Sequence, residues 1–257
     1  MIEGWLRTRG QRRSGDLHVN DLLHCRRKVA FERLDENPPT IDERKLHHFI
    51  NGEIRHLYLQ ELLGSGFEVE KKVTYITPNG IKIIGHVDAY HTETRTVVEF
   101  KNTESVKVLK EPYSYHLSQL MMYISILGSE RGILQYLIIG ASHRLKNYFP
   151  EYSIIMTSDQ RHDILERIDE YATELKTALD NKDPNLAEPV FDSLTYLNGS
   201  SNWYCESCPY KKSCLGYKEF FEGKTSDEIE REAIEKAIAK LKQSASFDRQ
   251  LTEAPSQ

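Results

Sequence analysis

The stretch from Ile83 to Lys101, IIGHVDAYHTETRTVVEFK, decides how this chain is read. It divides into two alternating segments around a polar turn. Val87 and Ala89 alternate with His86 and Asp88, and Val98 and Phe100 alternate with Glu99 and Lys101. A strand sends residues i and i+2 to one face, so each segment has an apolar and a polar side. A tight turn at Glu93-Thr94 sets Asp88 opposite Glu99 and His86 opposite Lys101 on one shared face. Directly opposed like charges destabilise a sheet. Two readings follow: a solvated hairpin face with a salt bridge, or a divalent cation beside a reacting anion. In the second, a hard cation bridges Asp88, Glu99 and the carbonyl oxygen of Phe100. Lys101 then orients a water or offsets charge on a phosphate.

Working outward, Glu68–Thr77 reads as a strand joined to the first segment by Pro78-Asn79-Gly80, and Asn-Gly between such runs signals a hairpin. Upstream, the periodicity predicts one helix from Asn20 to about Leu34 and a second from about Asp42 to Leu63. Pro38-Pro39 separates them, and Gly64-Ser65-Gly66 ends the second. His56 lies on that second helix near Ile54, Leu57 and Leu59, where a lone histidine reads first as a core residue. Downstream come a helix over about Pro112–Leu127, strands at Ile133–Ala141 and Asn147–Met156, and a helix opened by Thr157-Ser158. Gln119 and Tyr123 share a helical face, with packing of Tyr123 beside Leu120 and Ile124 as the plain explanation. The order predicts an α/β (α+β) core with a mixed sheet and helices on both sides.

The ends carry less. Residues 1–16 form a basic arm with Arg7, Arg9, Arg12 and Arg13, and a second basic run is Arg26-Arg27-Lys28. Thr225 and Glu228 make a capping box for a charged helix to about Gln243, and residues 244–257 are expected to be disordered. At 257 residues, 39% hydrophobic and 28% charged, the chain has the composition of an ordinary soluble protein with one substantial core. No apolar run reaches the ~20 residues that span a bilayer. The opening MIEGWLRTRGQRRSG lacks the apolar centre of a secretory signal, so the expected setting is the cytoplasm. A net charge of −5 excludes bulk electrostatic binding of nucleic acid and leaves only local basic patches for it.

The four cysteines are Cys25, Cys205, Cys208 and Cys214, the last three within CESCPYKKSC. In a reducing compartment such clustering favours metal over disulfide. A four-thiolate site then takes Cys25 from the other end of the chain. Structural zinc usually takes two close pairs, whereas a one-plus-three split suits an iron–sulfur cluster at least as well. Either would act as a clasp that couples ligation to folding.

Taken in order, Cys25, His56, Asp88, Glu99-x-Lys101, Gln119-x3-Tyr123, Cys205, Cys208 and Cys214 resemble the RecB-type branch of the PD-(D/E)XK nuclease superfamily. Within it the likeness is to the CRISPR-associated exonucleases with an iron–sulfur cluster, the "Cas-four" family, and it spans about Asn20 to Tyr217. The resemblance implies a restriction-endonuclease-like nuclease domain over 18–190 after a basic arm over 1–17. It further implies a cysteine-rich iron–sulfur module over 191–224 closed by Cys25, then a helix and tail over 225–257. His56, Asp88 and Glu99 would bind Mg²⁺ or Mn²⁺, with the Phe100 carbonyl. Lys101 would be the catalytic lysine acting with Asp88 and Glu99, Gln119 and Tyr123 would line a DNA channel, and the four cysteines would hold a 4Fe–4S cluster. The implied activity is exonucleolytic trimming of single-stranded DNA from the 5′ end, supplying fragments to the CRISPR integrase. Bases would stack on Trp203, Tyr204 or Tyr210. The rivals are a RecB- or AddB-like repair or viral nuclease, the repair enzyme acting with a helicase, and a non-catalytic DNA-binding subunit. The arm before His18 and the helix after Tyr217 lie outside the family core and leave a homo-oligomer open.

Overall fold

The Asn-Gly hairpin forms as its sequence dictates. β2 (Phe67–Ile76) and β3 (Lys82–His91) pair antiparallel from Phe67–His91 to Ile76–Lys82. Gly80 supplies the positive φ of 77° that closes the turn, and Thr77 fastens it by accepting from Ile81 N at 2.9 Å. β3 then pairs with β4 (Thr96–Thr103), but only over Ala89–Val98, Tyr90–Val97 and His91–Thr96. The pairing expected of Asp88 with Glu99 and His86 with Lys101 keeps this register yet falls beyond the end of the ladder.

In the computed structural model the chain is described over residues 15–36, 43–139, 149–189, 205, 207–217, 223–224, 228, 231 and 235. Residues 1–14 of the basic arm, Pro38-Pro39, Trp203, Tyr204 and Thr225 lie outside these residues. β4 continues through a crossover helix, α4 (Ser114–Ile126), into the parallel strand β5 (Arg131–Ile138), and β6 (Glu151–Ile155) pairs antiparallel beside it. A six-stranded mixed sheet results. The chain enters it through a two-residue strand, β1 (Leu17–His18), which runs parallel to Ile83-Ile84. Leu17 is 1% exposed, so the core begins inside the segment expected to be an arm. Since β2 takes one edge of β3, β1 and β4 divide the other edge between them, and Gly85–Asp88 face the gap.

The single helix expected over Asn20–Leu34 is two: α1 (Val19–Leu23) and α2 (Arg26–Leu34). His24 is extended and Cys25 caps α2, so the break turns the cysteine away from a helical face. Arg33 pairs with Asp21 across the break, which fixes the angle. α3 (Glu43–Glu61) lies on one face of the sheet, where Leu59 packs with Ala89, Val98 and Phe100. The other face carries α1, α2, α4 and α5 (Ser158–Asp180) over the main core, which includes Leu120, Ile124, Leu134, Ile168 and Leu175. Thr157 starts α5 by a capping box with Gln160, as its sequence predicts. No helix among the described residues is long and apolar enough to cross a membrane.

Candidate active site

Where β3 and β4 part, the Asp88 side chain substitutes for the missing ladder bond. Its Oδ2 accepts from Phe100 N at 2.7 Å, so the buried amide stays satisfied while the strands splay. Phe100 points to the α3 side of the sheet with Leu59, as alternation requires. Glu99, on the opposite face and 2% exposed, lies beneath the gap.

α3 reaches this point twice. His56 Nδ1 stands 3.3 Å from Asp88 Oδ1, and its ring meets Phe100 edge-on at 6.5 Å. One turn later, Gln60 Nε2 donates to the Asp88 carbonyl at 3.1 Å and to Glu70 Oε1 at 2.9 Å. His56 is therefore not the core histidine that its neighbours indicate. Ile54 and Leu57 face solvent and only Leu59 is buried.

The electrostatics are those of a crowded acidic site. Glu99 Oε1 accepts from Lys101 Nζ at 2.6 Å, while its buried Oε2 has no hydrogen-bond partner among the described residues. Burial first, then the Asp88 charge, push the Glu99 carboxyl up to about 7, against the pull of Lys101. Burial opposes the Lys101 ammonium, but Glu99 and Asp88 outweigh it and raise its pKa. His56 behaves alike: burial lowers its pKa, and the bond and charge of Asp88 raise it further. Two carboxylates and an imidazole are the chemical types of donor that a divalent cation takes. As placed, no three His, Cys, Asp or Glu groups among the described residues converge on a single ion.

Gln119 and Tyr123 divide. Gln119 is half-buried and bonds the Tyr123 hydroxyl. Tyr123 itself is 2% exposed, with its ring directly over Gly85. It packs in the core beside Leu120 and Ile124 and does not line an open channel.

The Lys101 charge also reaches Tyr115 and His116 at the start of α4. Burial, then Lys101, lower the His116 pKa to about 3, so this ring is neutral. Its Nδ1 lies 2.8 Å from the hydroxyl of buried Tyr136, to which Tyr113 N also donates at 3.1 Å. Sequence reasoning missed Gln60, Glu70, Tyr115 and His116. Gln60, four residues after His56, had a signal in its spacing; the others are brought in by tertiary contact alone.

The four cysteines meet elsewhere. Cys25, Cys205, Cys208 and Cys214 line one cavity with Phe31, Tyr210 and Lys211. Arg27 ties its floor together by donating to the carbonyls of Ala187 at 2.7 Å and Asn185 at 3.0 Å. The Tyr210 ring stacks on Phe31 at 5.2 Å, and its hydroxyl donates to Asp35. Tyr210 is thus buried in the clasp and offers no open stacking face.

Residues 10–215 match the family described as the PD-(D/E)XK nuclease superfamily. The chain is 30% identical over 129 residues to the CRISPR-associated exonuclease Cas4 of Saccharolobus solfataricus, an alignment covering 47% of this chain and 62% of that relative. The match therefore spans less than two thirds of the relative's length. The crystal structure of SSO0001 superposes with a TM-score of 0.57 at 23% identity, over 84% of this chain and 94% of that one.

Proposed function

The chain belongs to the PD-(D/E)XK nuclease superfamily, and on that premise we propose that it hydrolyses phosphodiester bonds in DNA at His56, Asp88, Glu99 and Lys101. The observation that carries this reading is the pair of buried carboxylates beside the strand gap, with Glu99 Oε2 lacking a hydrogen-bond partner among the described residues. Asp88, Glu99, His56 and the Phe100 carbonyl would hold Mg²⁺ or Mn²⁺, which would supply Lewis-acid activation of water at neutral pH. The protein side of the task is orientation. Phe100 N and His56 fix the Asp88 carboxylate, and Gln60 fixes its main chain. Lys101, paired with Glu99, is the cation of the site and would balance charge on a bound phosphate. Gln119 is the polar group of α4 placed to meet the strand, with Tyr123 supporting it.

The finer reading rests on the resemblance in motif order and on the Cas4 relative. It is a single-strand exonuclease working from the 5′ end, within a nuclease domain over 18–190 that also takes in Leu17. Its products would be fragments for CRISPR spacer integration. The module over 191–224 closes onto Cys25 around a 4Fe–4S cluster. What supports it is that all four cysteines line one cavity.

End-labelled single- and double-stranded DNA, incubated with Mn²⁺, Mg²⁺ or EDTA, tests the proposal. Metal-dependent shortening of the single strand from its 5′ end supports it, with Asp88→Ala inactive. Metal-independent cutting, or equal cutting by Asp88→Ala, overturns it.

A further inference from the structure

A lone exposed tyrosine is an ordinary surface feature, but Tyr115 is the outer end of an ordered aromatic column. Tyr152 meets Tyr136 edge-on at 6.2 Å, and Tyr136 meets His116 at 5.5 Å and Tyr113 at 6.5 Å. Those two rings hold Tyr115: Tyr113 stacks on it at 5.7 Å and 25°, and His116 lies 4.1 Å away. Tyr136 is 0% exposed, and its hydroxyl fastens both Tyr113 N and the His116 ring. The Tyr113 backbone before Tyr115 and the His116 ring after it are therefore tied to one buried group, while Tyr115 remains 50% exposed. A rigid aromatic presented this way loses little entropy when something stacks on it.

We propose that Tyr115 is a stacking shelf for a nucleobase of the strand being cut. The proposal rests on the nuclease reading and adds a base-contacting residue to it. Every base offers a π-face, so the shelf is tolerant of sequence. It is selective for unpaired strands, because in a duplex both faces of a base are covered by its neighbours.

The test uses the full chain, wild type and Tyr115→Ala, and single-stranded oligodeoxynucleotides in EDTA. The probes carry 2-aminopurine or an abasic site at successive positions from each end. The expected result is that wild type quenches 2-aminopurine at one position near an end and that Tyr115→Ala does not. The variant should bind roughly 5- to 100-fold more weakly, as loss of one base–aromatic stack implies. With the abasic site at that position the two proteins should bind equally, and Tyr115→Phe should match wild type throughout. Equal binding of wild type and Tyr115→Ala to intact oligonucleotides overturns the shelf while leaving the nuclease reading in place. Failure of wild type to bind any oligonucleotide in EDTA and to cut any with Mn²⁺ overturns both.

Discussion

Gln60 donates its side-chain amide to the main-chain carbonyl of Asp88 at 3.1 Å, one turn along α3 from the His56 ring that meets the carboxylate of the same residue. α3 thus grips Asp88 at both ends. The second Gln60 bond goes to Glu70, which sits at φ 49° on β2, so the grip extends to a locally strained strand. Gln60→Leu orphans the Asp88 carbonyl. It is expected to weaken Mn²⁺ binding about 10- to 100-fold, as loss of an outer support to a ligand does. Calorimetric titration of Mn²⁺ checks this, and an unchanged affinity would remove Gln60 from the site.

Asp88→Ala and Lys101→Ala should each lower DNA cleavage at least about 100-fold. They should differ in stability. Glu99 has Lys101 as its partner and is almost fully buried, so Lys101→Ala leaves a buried carboxyl that protonates without its bonding partner and costs about 1–3 kcal/mol. Adding Glu99→Gln to Lys101→Ala should recover part of that loss. Urea denaturation of the metal-free proteins measures it, and additive losses in the double variant would contradict the coupling.

His116 provides an acid-sensitive element. Its folded pKa is depressed from 6.5 to about 3, by burial and then by Lys101. A depressed group contributes stability that is present above the unfolded pKa and is lost as pH falls towards the folded one. The stability of wild type should therefore decline between pH 6.5 and 3 more steeply than that of His116→Gln. Parallel curves from thermal melts across that range would show that the ring is not buried neutral.

Much of this site is written in local pattern, and the remainder is not. Alternation around Asp88 and Glu99 gives the hairpin and its register, because period-two burial admits no one-residue slip. The early end of the ladder is set by the Asp88 side chain capturing Phe100 N, which no spacing reveals. The break at His24-Cys25 is similarly silent, since no glycine or proline marks it and the helical stripe reads straight through. Tyr123 shows the reverse. Its burial was legible from Leu120 and Ile124, and motif order alone places it in a channel. The join of Tyr113, His116 and Tyr136 needs a crossover helix to return one strand beside another, and only the assembled sheet contains that information.

Gly85 is one of the tight points between sheet and α4. A Cβ there would lie 2.7 Å from the Tyr123 ring and 3.0 Å from Val19. Gly85→Ala is expected to cost about 1–3 kcal/mol through overpacking. A melting temperature equal to that of wild type would mean that the ring has room to retreat.

Cys208→Ser and Cys25→Ser should each abolish absorbance near ~400 nm and the bound iron of anaerobically purified protein. A colourless wild type loaded with zinc would refute the cluster.

The four cysteines share one cavity, yet Cys25 emerges from the ribosome long before Cys205. Sheet and helices can assemble while that first thiol waits, and closure follows only when the last turn of the cavity has been translated. On the proposed cluster reading, that cavity would be a check on completeness: a chain stopped short of Cys214 would lack one of the four ligands and could not be locked.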